Sequence, residues 1–205
     1  MKVIAILTGD IVNSEQSEVI QWMTMLKKRL NQLGTTPIDW EIYRGDEFQI
    51  RTSPEDALII AIGIKALIKT VKNLDVRIGI GIGEENFEGS SVSQSNGKAH
   101  QRSGRVFETL KKQKLNLAIA TGDLKKDKAL NLVLRLALDF MDNWSVVTAE
   151  VVRLALEQPD VSQQEWADYL KVQQSAVSQR LKRARMELVL EVLDFYKETV
   201  KEFNA

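Results

Sequence analysis

The chain opens on an unbroken apolar run, Val3 to Leu7, with the length and β-branched character of a buried strand. Residues 15–33 then place Val19, Trp22, Met23, Leu26, Leu30 and Leu33 at helical spacing, and Gly34 stops that helix. Ile38–Tyr43 and Glu47–Thr52 flank the turn Arg44-Gly45-Asp46, which predicts a hairpin. Ser53-Pro54-Glu55-Asp56 has the marks of a helix start, with a Ser cap, Pro in the first turn and acids at the positive end of the dipole. That helix is expected to run through Ala57, Leu58, Ala61, Ile62 and Leu67 to about Val71. Val76–Ile82 follows as a strand. Residues 84–97, with four Ser and two Asn, predict a flexible loop. Residues 98–112 predict a helix and Leu115–Ala120 a further strand.

The order is β-α-β-β-α-β, then α-β, and its first six elements match a ferredoxin-like arrangement. In that arrangement strand one lies antiparallel beside strand three. Asp10, after the first apolar run, then converges on Asp46, in the hairpin turn. Two carboxylates at one sheet end are what a divalent ion bound to a phosphorylated ligand needs, and Mg²⁺ or Mn²⁺ suits a few carboxylates plus phosphate oxygens. The competing reading makes Asp10 a helix cap and Asp46 an ordinary turn residue. Gly79, Gly81 and Gly83 alternate along a strand with no helix directly after them, which favours close helix–sheet packing over a phosphate cradle. His100, the single histidine, is expected to be structural or solvent-facing, and Trp22, Trp40 and Trp144 to lie in the core or an interface.

From Leu124 the period is helical throughout. Leu124–Trp144 is a leucine-rich connector, and only Gln158-Pro159-Asp160 breaks the stretch beyond Thr148. Ser162 and Glu165 have the spacing of a capping box, with Val161 and Trp166 as a hydrophobic staple. Ala167, Lys171 and Val177 fall where a helix-turn-helix needs a small residue, a turn and a buried β-branched residue. Residues 171–186 hold Lys171, Arg180, Lys182, Arg183 and Arg185 and no acid. A recognition helix puts its N-terminal side chains on bases and its basic end on phosphates. Gln174, Ser175, Ser178 and Gln179 are accordingly expected at bases, and Arg180, Arg183 and Arg185 at phosphates. The competing reading is a helical bundle with a solvated basic face. The apolar stripe of the last helix, Val189 to Phe203, serves either the core or a dimer seam.

Composition narrows the classes. Lys plus Arg and Asp plus Glu are each 28, so any attraction to nucleic acid must be local. The absence of cysteine excludes disulfides, thiolate metal sites and Cys nucleophiles. No stretch has the ~20 apolar residues of a membrane helix, and Met1–Leu7 is too short for a signal peptide, so the expectation is a cytoplasmic protein with no membrane partner.

Several motifs resemble known families. Gly9-Asp10-Ile11-Val12 and Gly45-Asp46 are similar to the two metal motifs of class III nucleotidyl cyclases, and Val76-Arg77-Ile78-Gly79-Ile80-Gly81 to the Gly-containing strand after them. Arg44-Gly45-Asp46-Glu47-Phe48 resembles the GGDEF signature of diguanylate cyclases. Ala176–Arg185 resembles the recognition helix of sigma-factor region 4. The two modules in this order resemble the SatD family over nearly the full length. The cyclase resemblance implies metal ligands at Asp10, Asp46 and the Ile11 carbonyl. It also implies nucleotide or phosphate contacts from Asn13, Ser14, Arg44, Gln101 and Arg105. Gln101 stands at the place of the catalytic Asn, and Arg105 at that of the Arg that stabilises transferring phosphate. Ile42 stands where a purine-selecting Lys would be, and Arg44 replaces the first Gly of GGDEF.

The expected architecture is therefore α+β. A ferredoxin-like, cyclase- or palm-like domain spans residues 1–123, a helical connector 124–147, and an all-α helix-turn-helix domain 148–205. The leading expectation is a homodimeric regulator that binds DNA and senses a nucleoside triphosphate or other small phosphorylated ligand with its metal. An enzyme of two-metal phosphoryl transfer and a non-catalytic protein-binding scaffold are the alternatives.

Overall fold

The computed structural model describes residues 2–16, 19–43 and 45–204. Its first strand, β1 (Val3–Val12), does not stop at Leu7 but runs on through Gly9-Asp10. Both edges of β1 are paired, antiparallel to β3 (Glu47–Thr52) on one side and to β4 (Asp75–Phe87) on the other, so the backbone has partners beyond the apolar run. β2 (Trp40–Tyr43) extends the sheet past β3, and β6 (Leu117–Ala120) lies parallel to β4. The order is β2-β3-β1-β4-β6, with the short β5 (Asn96–Gly97) folded back on the far end of β4.

The two faces of this sheet differ because side chains alternate along each strand. One face carries Leu7, Ile11, Phe48, Ile50, Ile78 and Ile80. That face shares a core with α1 (Val19–Leu33), α2 (Ala57–Lys69) and α4 (Leu124–Met141). Pro54 and Glu55 precede α2 rather than open it, and Ser53 Oγ accepts from the Asp56 N–H just before the helix, at 3.2 Å. The other face presents Thr8 and Asp10 with Gly79 and Gly81, and α3 (Lys98–Gln113) lies directly on those glycines. A Cβ on Gly81 would sit 2.3 Å from the Ser103 amide, and one on Gly79 2.7 Å from that of Phe107. Residues 84–97 are folded against this side rather than free, with Val92 buried among Ile4, Ile6 and Ala99.

Four helices follow: α5 (Val146–Glu157), α6 (Gln163–Leu170), α7 (Gln174–Ala184) and α8 (Met186–Val200). Ala149, Val152, Val189, Leu193, Tyr196 and Val200 join the core that begins at the sheet. The core therefore runs across the 123/124 and 147/148 junctions. The inner stripe of α8 is core packing, and buried Tyr196 donates its hydroxyl to the Pro54 carbonyl, which ties α8 to the loop before α2. α6 and α7 close a second, smaller cluster over α5, formed by Val151, Leu154, Trp166, Ala167 and Val177.

Candidate functional site

The register of the sheet brings the acidic residues together. Asp10 lies opposite Glu47 on β3 and opposite Arg77 on β4, so all three side chains share one face. Gly9 makes this approach tight, since a Cβ there would meet Phe48 Cζ at 2.6 Å and the Arg77 carbonyl at 2.7 Å. Asp46 sits in the turn before Glu47, after Gly45 at φ +85°. Its Oδ2 accepts the Ser14 hydroxyl at 2.6 Å. Arg77 Nη1 lies 3.1 Å from Asp10 Oδ2, and Lys111 Nζ, from the last turn of α3, lies 3.8 Å from the same oxygen and 3.0 Å from Glu47 Oε1. Burial pushes the Asp10 carboxyl above its usual range; Arg77 and Lys111 oppose the rise, while Asp46 and Glu47 add to it. The Lys111 ammonium, which stacks 4.3 Å over the Phe107 ring, is held above the usual lysine range by its bond to Glu47, against the opposite pull of burial.

Asp10, Asp46 and Ser14 thus meet at one sheet end. Asn13, at φ 62°, turns away and donates to the Asn73 carbonyl at 3.2 Å. The Ile11 side chain is buried in the core, and its backbone lies in the β1–β4 ladder opposite Val76. Arg44 lies outside the described residues. Gln101 and Arg105 are exposed on the outer side of α3, because Ala99, Ser103, Phe107 and Leu110 face the sheet. The residue that α3 brings to Asp10 is Lys111, which sequence reasoning missed together with Glu47 and Arg77. Arg77 did carry a signal, as the one charge within the apolar run from Val76 to Ile82.

A carboxylate site for Mg²⁺ or Mn²⁺ needs free oxygens on several hard ligands. Here the Asp10 carboxylate is shared with a guanidinium and an ammonium, and Asp46 Oδ2 holds Ser14. Among the described residues no group of three or more His, Cys, Asp or Glu is placed to hold a metal ion. The donors as arranged do not fit a resident two-ion centre.

The second surface is on α7. The capping box expected at α6 is present, with the Ser162 side chain on the Glu165 amide and the Glu165 carboxylate on the Ser162 amide. Lys171 turns the chain with φ 53°, Gln173 opens α7, and Arg185 at φ 53° closes it. Val177 and Ala184 face inward, and the indole of Trp144 donates to the Ala184 carbonyl at 3.1 Å. Gln174, Ser175, Ser178, Gln179, Lys182 and Arg183 lie exposed on the outer side. Gln174 Nε2 reaches Gln163 Oε1 at 2.9 Å. Arg180 is turned inward instead, half-buried and 3.7 Å from Glu150, and Arg185 lies 5.5 Å over the Phe140 ring.

The sequence matches the SatD family over residues 3–198. The chain belongs to the SatD family. None of the curated proteins matches it. Among solved structures, the active GGEEF domain of a diguanylate cyclase from Vibrio cholerae is similar at 15% identity. The match covers 60% of this SatD chain and 85% of that one, with a TM-score of 0.44. Among the described residues no helix is long and apolar enough to cross a membrane.

Proposed function

We propose that this SatD-family protein is a DNA-binding regulator. Its α6–α7 unit is a helix-turn-helix, carried on a ferredoxin-like, cyclase-like half that senses a phosphorylated ligand. The observation that supports it is the outer face of α7, where Gln174, Ser175, Ser178, Gln179, Lys182 and Arg183 are all exposed on a segment with no acid between 171 and 186. Such a face presents hydrogen-bonding side chains followed by cations, the order in which a recognition helix meets bases and then phosphates. Arg180, engaged by Glu150, drops out of the phosphate set, and Lys182 takes its place. In this reading the protein acts as a homodimer, because operator half-sites mirror protein symmetry.

The test is binding to genomic DNA fragments across a salt series. Arg183→Ala weakens binding to every fragment and flattens the slope of log affinity against log salt by about one unit. Gln179→Ala relaxes preference at a single base pair, by about 1–3 kcal/mol. Arg180→Ala leaves the salt slope unchanged. No binding above background at low salt sinks the reading.

A second reading, phosphoryl transfer at the acidic sheet end, is favoured by one observation. The charges of Asp46 and Glu47 act on Asp10, so the acids do converge there. The engagement of Asp10 by Arg77 and Lys111 weighs against it.

A further inference from the structure

The end of β1, the turn from α2 into β4 and the turn from α4 into α5 enclose a cleft of about 560 Å³. That volume falls in the range of small-molecule sites. Val12, Leu74 and Trp144 supply its apolar wall; Asn13, Asn73, Asn116 and Ser145 supply neutral polar groups, and Lys69, Lys72, Asp75 and Asp142 its charges. The cleft is separate from the acidic end. Ser14 turns to Asp46, whereas its neighbour Asn13 turns the other way, to the Asn73 carbonyl.

The charges and unpaired hydrogen-bonding groups of the cleft set what it would take. Asp75 and Asp142 line the cleft and are matched by Lys69 in the lining and by Lys65 behind it, with Lys65 Nζ 2.7 Å from Asp75 and 2.6 Å from Asp142. Lys69, only 9% exposed, donates to Asp75 Oδ2 at 3.1 Å and to the Asp142 carbonyl at 2.7 Å. An ammonium has three protons, so one remains for an acceptor in the cleft that Lys69 lines. Lys72 has no ion-pair partner among the described residues, so with Lys65 behind the lining counted in, three cations (Lys65, Lys69, Lys72) stand against two acids (Asp75, Asp142). The side-chain amides of Asn73 and Asn116 have no bond among the described residues either. Each offers a donor and an acceptor side by side, the pattern that pairs with the edge of a nucleobase. Asn13 and Asn73 both sit in the left-handed region, at φ 62° and 66°, which Asn tolerates better than most residues.

We propose that this cleft binds a nucleoside monophosphate, with the base edge on Asn73 and Asn116 and the phosphate at Lys69 and Lys72. This site stands independently of the DNA-binding reading.

Isothermal titration of the full chain uses AMP, GMP, CMP and UMP, the matching nucleosides, and inorganic phosphate alone. At least one monophosphate is expected to bind more tightly than its nucleoside and than phosphate. Lys72→Ala and Asn116→Ala are each expected to weaken that binding about tenfold. Both replaced side chains lie outside the core, and thermal melts verify that the variants fold. Three results overturn the proposal. The first is no monophosphate binding at ~1 mM. The second is binding that neither variant weakens. The third is inorganic phosphate binding as tightly as the nucleotide, which would remove base recognition. Binding that Asp46→Asn abolishes and Lys72→Ala spares would move the site to the acidic end and equally overturn it. A failed DNA titration bears on none of these outcomes.

Discussion

Two charge clusters in this molecule use the same residue types to different effect. At the junction of α2, β4 and the end of α4, Lys65 and Lys69 face Asp75 and Asp142, two cations for two acids, and Lys65 is 2% exposed. At the end of β1, Asp10, Asp46 and Glu47 face Arg77 and Lys111, three acids for two cations among the described residues, and the groups are only partly buried. In the first cluster every charge has an opposite charge within contact distance, and the ion pairs hold sheet and helices together. In the second the acids are in excess among the described residues, and burial holds Asp10 above its usual range despite a guanidinium at 3.1 Å. Stoichiometry and burial, not the presence of ion pairs, separate a charge cluster whose own members are matched from one left with net charge.

The largest effect expected from this contrast is at Lys65. Lys65→Met leaves Asp142 without its side-chain partner and Asp75 with only Lys69. Breaking a buried pair from one side costs about 3–5 kcal/mol, read as a lower midpoint in urea unfolding. A loss comparable to that of an exposed surface pair would end the distinction between the clusters.

Asp10→Asn is expected to act in the opposite direction and by less. The folded state raises the carboxyl above its ordinary value of 3.8, so the native protein binds this proton more tightly than the unfolded chain does. The penalty is absent below that value, where both states are protonated, and grows as pH rises past it. Asn removes the penalty, so the variant melts higher than wild type at neutral pH and equally at strongly acidic pH. A lower melting temperature at neutral pH would show that Arg77 and Lys111 outweigh burial. Added Mg²⁺ that raises the melting temperature of wild type but not of Asp10→Asn would support the phosphoryl-transfer reading, by mass action on the native state.

The smallest effect lies at the far end of the sheet. There Arg51 clamps Glu85 with Nε at 3.0 Å and Nη2 at 2.6 Å, and His100 Nε2 lies 3.5 Å from the same carboxylate. Burial holds His100 below its ordinary value of 6.5, and Glu85 only partly opposes this. The unfolded chain therefore takes up this proton first as pH falls. Stability is full above about pH 6.5 and declines below it. His100→Gln is expected to flatten the melting temperature between about pH 7.5 and pH 5.5. An unchanged pH profile in the variant would assign the decline to other groups.

The principal strands and helices were legible from the chain because apolar periodicity, caps and turn residues act locally, whereas the end of β4 and the short β5 fell in the stretch expected as loop. Val3–Leu7, the hairpin around Gly45-Asp46, the Ser162–Glu165 box and the glycine-lined strand under α3 all follow from neighbours within a turn or two. The meeting of Asp10 with the hairpin followed from strand order. The charges around that meeting did not. Arg77 reaches Asp10 only through the register of β1 on β4, across 67 residues, and Lys111 only because α3 seats on Gly79 and Gly81.

That same seating fixed the helical phase that sends Gln101 and Arg105 outward. Each lies two residues, about 200° of helix, from inward-facing Ser103. A motif aligned by resemblance carries no information about that rotation. Arg180 gives the matching case on α7, where Gln179 and Lys182 are exposed while Arg180 meets Glu150 of α5. Residue type and spacing determined which elements form and which faces they bury. Register and helix seating, which depend on packing between distant segments, decided which charges meet.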